Sequence, residues 1–565
     1  MEILNIFKRF FMKKIFFILL IGLLCLGILN AEEIKLNLLF SNDVHGGIDA
    51  VPATFINPDF PPPLGGAASA ATYIELVREY AQENGEAVLL LDAGDFFQGH
   101  PIGTMSEGVA VIKYMNWIGY DAMTIGNHEF DLGYDTLLKT LSLAKFPIVC
   151  ANIIVEETGE LIPDCIPYII KNINGINIAI IGICTLDTPL MSFPENIKGL
   201  KFVDAAETVE KYIKEVKTRG ADLIFVLGHL GIPYDVESAY QYDIVEGHVN
   251  DENRRWPDNA MHVAYKVPGI DVFLAGHIHK GYKKPWEEPE NHTLLLQNYG
   301  YGSNIGHLIL TIDTETKTLT GYELPAYIDG DLIALFSEEF IPDPWYKDKI
   351  DSMQAVAEKG MDEIVGRAGM HLSRVGAAQS IIGNLVMDAV LEETSADFAF
   401  LNLGGVRDDI QEGPVSYRDI FDVLPFDSQV ITMEIDGAKL KEIIEVRIAG
   451  GRHGLRIAGG EVEYSKEYPD FERVTNLYIG GEPWDPDKIY TVATTDFLMQ
   501  GNSGLTLLTE IPEKQITYKY IIIRDALANY FRRREVVNGR IDNRWILTPE
   551  AVHSDVIKKH NSEQN

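Results

Sequence analysis

Four cysteines in 565 residues are too few to staple a chain of this length, and Cys25 falls in an N-terminal segment unlike the rest. Cys150, Cys165 and Cys184 remain, an odd number, and no CxxC or Cys/His spacing suited to zinc occurs. Cys150 in FPIVCAN and Cys184 in AIIGIC sit in apolar, strand-like runs, so buried thiols are expected rather than a disulfide framework. Basic charge is scarce too. Against 83 Asp and Glu stand 48 Lys and Arg, a formal charge of −35. That field repels nucleic-acid backbones and anionic membrane surfaces, which excludes both as partners. An anionic substrate would need local cations to overcome it. Beyond residue 31 no run reaches the ~18 uninterrupted apolar residues of a membrane span. There is no internal repeat and no low-complexity bias.

What is present is a globular composition, 46% hydrophobic, and a length that allows about two to four domains. Lys8, Arg9, Lys13 and Lys14 precede an apolar run from Ile15 to Ile28, and Ala31 offers a cleavage site. Residues 1–31 therefore read as a signal peptide, and the mature chain as exported to the periplasm or beyond. Apolar runs at 34–41, 87–95, 121–127, 146–152, 176–184, 221–229 and 271–277 read as buried strands. Between them, Ala70, Ile74, Val77 and Ala81 share one helical face, as do Val209, Ile213 and Val216. Such alternation indicates an α/β fold. Near residue 340 the pattern changes. A polar helical segment at about 346–364 leads to a second unit, with helices expected at 378–392, 437–448 and 518–533.

The informative residues share one position, just after an apolar strand. Asp43 and His45 follow the first run, Asp95 the second, Asn127 and His128 the third, His229 a later one, and His277 and His279 the last. In α/β sheets the carboxyl ends of strands gather in one crevice. Seven oxygen and nitrogen ligands thus converge on one edge. Imidazole with carboxylate oxygen suits Zn, Mn, Fe or Co, and two such cations can clamp the oxygens of an in-line displacement. The neutral Asn127 limits negative charge, and the metals supply the local cations that the composition lacks.

In this order DVH, GD, GNHEFD, GH and GHIH resemble the calcineurin-like metallophosphoesterase signature. The later NLGGVR and VLPFDS resemble the second domain of the exported bacterial 5′-nucleotidase family, which includes UDP-sugar hydrolases. The resemblance spans about 34–540. It implies a metallophosphoesterase β-sandwich flanked by helices over 32–340, a helical linker over 341–365, a smaller α/β substrate domain over 366–545, and a polar tail over 546–565. It also implies that the two domains rotate about a hinge within 346–366.

The same resemblance implies roles. Asp43, His45 and His279 would bind one divalent metal, Asp95 would bridge, and Asn127, His229 and His277 would complete the second. His128, oriented by Asp131, would stabilise the phosphoryl oxygens or protonate the leaving alkoxide. A metal hydroxide would attack phosphorus. Asn402 would contact a base and Arg407 a phosphate, with Gly405 permitting close backbone approach; Phe426 would stack on the base. The expected activity is release of phosphate from small-molecule nucleotides. The alternatives are a UDP-sugar, a 2′,3′-cyclic nucleotide or carrier-bound thiosulfate as substrate, or a surface binding protein without turnover.

Three departures from the family pattern stand out, the last at two positions. Leu505 stands where a second stacking aromatic is expected, with Tyr301 and Trp256 as candidate replacements. Ser428 replaces a common Asn. Arg374 lies about two residues from the register of a phosphate-binding Arg, and Gln379 replaces a common acid. The segment 233–262, which carries Arg254, Arg255 and Trp256, reads as a surface insertion, with a specificity loop as the alternative.

Overall fold

The computed structural model describes residues 33–53, 56–57, 60–249, 259–325, 330–376, 378–449 and 454–548. The expected signal peptide, Arg254, Arg255, Trp256 and most of the polar tail lie outside them. Among the described residues no helix is long and apolar enough to cross a membrane.

The first half is a two-sheet sandwich between helices. One sheet runs in the order Thr318–Glu323, Asn304–Asp313, Glu33–Ser41, Ala87–Asp92, Ala122–Met123, Ile148–Val149, Cys165–Ile166. The other runs Trp286–Glu287, Leu294–Gln297, Val272–Ala275, Leu223–Gly228, Ile176–Ile183, Tyr168–Ile173. The period of two in the strands builds the layers. Leu36, Leu38 and Phe40 meet Phe225 and Leu227 between the sheets. Leu39 faces one helical layer, and Ile224 and Val226 face the other. Helix Ala67–Asn84 buries Ala70, Ile74, Val77 and Ala81, and Ala205–Thr218 buries Val209, Ile213 and Val216. Asp204 caps the second through its side chain, which accepts from Glu207 N. Glu33–Ser41, Ala87–Asp92 and Ala122–Met123 are mutually parallel, as are Ile176–Ile183, Leu223–Gly228 and Val272–Ala275. Their carboxyl ends therefore share an edge in each sheet.

Helix Pro344–Ala357 follows, shorter than the sequence reading of 346–364. Asp343 caps it, and Gln354 donates to Asp49 Oδ2 at 3.0 Å in the first domain. Arg418 ties Glu358 and Asp362 to the second domain. That domain holds a five-stranded sheet (Arg456–Ala458, Phe398–Leu401, Ile489–Thr495, Gln429–Asp436, Ile516–Ile522) and a four-stranded one around a single core.

Two sequence expectations are corrected. Residues 518–522 are strand, not helix: Ile516–Ile522 pairs with Gln429–Asp436 at the sheet edge, and the helix begins at Ile523. The run ITYKYII is β-branched and aromatic, and the open sheet edge selects that preference. The second domain also continues past 545, because Trp545–Leu547 pairs in parallel with Gly460–Tyr464. Cys150, Cys165 and Cys184 are buried free thiols, and burial pushes Cys150 up to about 12.

Candidate metal centre and the cleft above it

Five of the seven expected ligands sit in tight turns after strands. Asp43, His45, Asp95, His277 and His279 have φ of 51°, 49°, 58°, 77° and 54°. A positive φ in a non-glycine residue costs about 1–3 kcal/mol and persists only where the surroundings enforce it. Here the turns point short side chains back over the sheet edge. Gly126 shows how tight the crowding is. A Cβ there would overlap Asp95 Oδ1 and sit 2.7 Å from His229 Cδ2.

Two groups form. Asp43, His45 and His279 offer ligand atoms within 4.8 Å of one another, as do Asp95, His229 and His277. Asp95 Oδ2 lies between the groups, 2.9 Å from His229 Nε2 and 3.8 Å from His45 Nε2. Asn127 Oδ1 is 2.9 Å from His277 Nδ1. Asp95 Oδ2 and His229 Nε2 are buried and, despite their proximity, make no aligned hydrogen bond. The ring nitrogens of His45 and His279 face one another at 2.9 Å. Buried polar atoms left this way are expensive unless a further partner satisfies them all, and a divalent cation does so. The residues fit two metals.

Outer contacts support that reading. His45 Nδ1–H donates to Gln98 O at 2.5 Å and His229 Nδ1–H to Ala93 O at 2.8 Å, so each Nε2 lone pair faces inward. Burial pushes the Asp95 carboxyl up, but the imidazoles of His229, His128 and His45 override it and hold the group well below the usual range. Burial and the neighbouring His229 pull His277 down to about 4, leaving it neutral and able to ligate.

His128 belongs to neither group. Its Nδ1 meets Asp131 Oδ2 at 2.6 Å, and its backbone N–H donates to Asp95 Oδ1 at 2.9 Å. Burial lowers its pKa, and the Asp131 and Asp95 carboxylates more than reverse this. The second domain closes over it. The Phe426 ring stacks on His128 at 5.8 Å and 22°, and the Arg407 guanidinium lies 5.7 Å over Phe426. Gln98 Nε2 donates to Pro425 O at 3.3 Å. Asn402 and Gly405 flank the short turn after Phe398–Leu401 that leads to Arg407.

Two protein-family models match this chain. Residues 36–281 match the calcineurin-like phosphoesterase model and residues 358–510 the 5′-nucleotidase, C-terminal domain. The chain is a calcineurin-like phosphoesterase of the 5′-nucleotidase family. It is a metal-dependent phosphoester hydrolase. It is similar to a 5′-nucleotidase of Vibrio parahaemolyticus, 28% identical over 78% of this chain and 80% of the relative. It is also 28% identical to Endonuclease YhcR of Bacillus subtilis over 83% of this chain, but spans only 37% of that longer protein. The fold matches that of a 5′-nucleotidase precursor from Thermus thermophilus, with a TM-score of 0.77 and 24% identity over 92% of this chain and 100% of that one.

In this phosphoesterase the departures noted in sequence resolve differently. Leu505 is fully buried in the core of the second domain and presents nothing to the cleft. Tyr301 lies against the metal centre, 5.4 Å from His45 and 5.3 Å from His279 between ring centres. Ser428 is buried, with its carbonyl accepting from Ile523 N. Gln379 bonds Trp545 O and Asn384, an internal brace. Arg374 is exposed beside Asp409, whose Oδ1 accepts its backbone N–H at 2.6 Å.

Two contributors escaped the sequence reading. Glu129, inside GNHEFD, accepts from the backbone N–H groups of Asp95, Phe96 and Gly126 and so ties two ligand loops together. Nothing local separates it from a surface acid. Arg524, buried behind Phe426, donates to Pro425 O and Phe426 O and pairs with Asp427. It lies 97 residues from Asp427, so no spacing rule finds it.

Proposed function

We propose that this protein is an exported two-metal phosphohydrolase that releases phosphate from nucleotides. One observation carries the reading. The Arg407 guanidinium lies over the ring of Phe426, which stacks on His128, the neighbour of Asn127 beside the two ligand groups. Asp43, His45 and His279, with Asp95 between, would hold one cation; Asn127, His229 and His277 would hold the other. When bound, the pair polarises the phosphoryl oxygens and lowers the pKa of an attacking water. The chain's own residues do the rest. Arg407 forks onto phosphate oxygens, and Phe426 offers a π-face to a base. Asn402 and Gly405 line the approach to Arg407. His128, its Nδ1 held by Asp131, carries its transferable proton on Nε2 and gives it to the leaving alkoxide. The basic and apolar N-terminal run supports export.

The test is hydrolysis by the metal-reconstituted mature chain, read as phosphate from AMP and ATP, as p-nitrophenol from the diester, and by chromatography of the products from UDP-glucose and 2′,3′-cyclic AMP. The panel is AMP, ATP, UDP-glucose, 2′,3′-cyclic AMP and bis(p-nitrophenyl) phosphate, each with Mn²⁺, Zn²⁺ and Co²⁺. Metal-dependent release from AMP is expected. Activity on the generic diester with none on any nucleotide would overturn the nucleotide reading and leave the phosphoesterase intact.

A further inference from the structure

Among the described residues three arginines are buried, all in the second domain, and two of them have partners. Arg544 pairs with Asp388 and Asp542 and donates to the carbonyls of Asn384 and Ile457. Arg524 pairs with Asp427 and donates to Phe426 O. Arg456 is the most buried, 4% exposed against 7% for the others, and it differs. Its Nε and Nη1 are shut off from solvent and meet no acceptor, and it joins no ion pair among the described residues. Burial pulls its pKa down to about 10, so the guanidinium stays charged at neutral pH. A buried charge without a counter-charge is costly, and it persists where something supplies the opposite charge.

The surroundings of Arg456 favour an anion. It opens the strand Arg456–Ala458 and pairs with Leu401, on the strand that leads to Asn402. Its side chain runs against the first turn of the helix Ile381–Thr394. A Cβ on Gly383 would come within 2.7 Å of Arg456 Cδ and Nε, and equally of Ser380 Oγ. A helix N-terminus carries partial positive charge, and this first turn contains no acid. The acids further along the helix are taken, Asp388 by Arg544 and both Glu392 and Glu393 by Arg533. Another buried donor without an acceptor, Trp545 Nε1–H, lies against Gly454, two residues before Arg456. The Trp545 carbonyl accepts from Gln379, which precedes the helix cap Ser380. The buried Asn384 Oδ1 is also unpaired, but it is neutral and cannot cancel a charge. Donors and positive potential gather where the chain supplies no anion.

We propose that Arg456, with the Ser380 hydroxyl and the first turn of this helix, binds a small tetrahedral oxyanion, sulfate or phosphate, at a site built from residues other than Arg407 and the metal ligands. The anion makes charge-assisted hydrogen bonds with the guanidinium, as a carboxylate does at Arg544. Because it binds the folded chain, it adds to stability in proportion to its occupancy. The site does not depend on the nucleotide reading.

The experiment is thermal unfolding of the metal-loaded full mature chain with sulfate and with phosphate, at ionic strength held constant with sodium chloride, beside calorimetric titration of the same anions. The chains are wild type, Arg407→Ala and Arg456→Gln. At ten times the dissociation constant, sulfate should raise the melting temperature of wild type and of Arg407→Ala by about 3–6 °C more than that of Arg456→Gln. The variant carries sulfate's general effect on burial, so the difference isolates the site. An equal gain in Arg456→Gln would overturn the proposal. So would loss of the gain in Arg407→Ala, which would place the anion at the proposed phosphate fork. A gain from phosphate with none from sulfate would place it at the metals and overturn the proposal too. Absence of saturable sulfate binding in the wild-type titration would overturn it whether or not Arg456→Gln folds.

Discussion

Replacing His128 by Ala separates proton donation from metal binding. The imidazole is in neither ligand group, and the contact that steadies Asp95 is its backbone N–H, 2.9 Å from Asp95 Oδ1, which Ala retains. Both metals should therefore stay. What disappears is the proposed acid, held by Asp131 at 2.6 Å. General acid catalysis contributes about 100- to 10,000-fold, on the order of 3–5 kcal/mol of barrier. The stack with Phe426 is lost as well, but an aromatic pair is worth about 0.5–1.5 kcal/mol, so it accounts for about tenfold at most. Two substrates distinguish the causes. The alkoxide of AMP needs a proton to leave, whereas p-nitrophenolate leaves without one. His128→Ala should cost AMP turnover about 100-fold or more, and p-nitrophenyl phosphate about tenfold or less. The assay is kcat on both substrates beside metal content by elemental analysis. Equal losses on the two substrates would refute the acid role. A fall in bound metal would refute the separation of His128 from the centre.

Gly126→Ala should abolish metal binding, because the added methyl overlaps Asp95 Oδ1; metal titration of the purified variant reads this, and full occupancy would contradict the crowding described. Leu505→Tyr should destabilise the protein by about 1–3 kcal/mol in urea unfolding without tightening AMP binding, since the position is sealed in the core. His307 is buried between Tyr73 Oη at 2.6 Å and Asn37 Oδ1 at 3.0 Å, and burial pulls its pKa down to about 4 from the ordinary 6.5. The unfolded chain binds the extra proton first, so stability falls as pH drops from 6.5 towards 4, by up to about 3 kcal/mol. In His307→Gln that slope should vanish from urea midpoints measured across the window; an unchanged slope would show that other groups cause it.

Much of the plan was legible in the order of residues, for a local reason. The alternation in Leu36, Leu38 and Phe40 against Leu39 states which side of a strand faces which layer, since side-chain direction in a strand depends only on parity. The helical faces at 70–81 and 209–216 follow from the same kind of rule. So does the appearance of Asp, His and Asn immediately after apolar runs, because a strand's end is marked by its own composition. Tertiary structure alone decided the rest. Asp95 falls between two groups because strands from both sheets end on one edge. Leu505 turns into the core while Tyr301, some two hundred residues earlier, stands against His45 and His279. Residues 518–522 became strand because a sheet edge lay beside them. Glu129 and Arg524 acquired their work from loops brought to them by packing. Local pattern sets what each segment can do. Which segments meet depends on contacts between residues far apart in the chain, and those form only when the sheets and domains close.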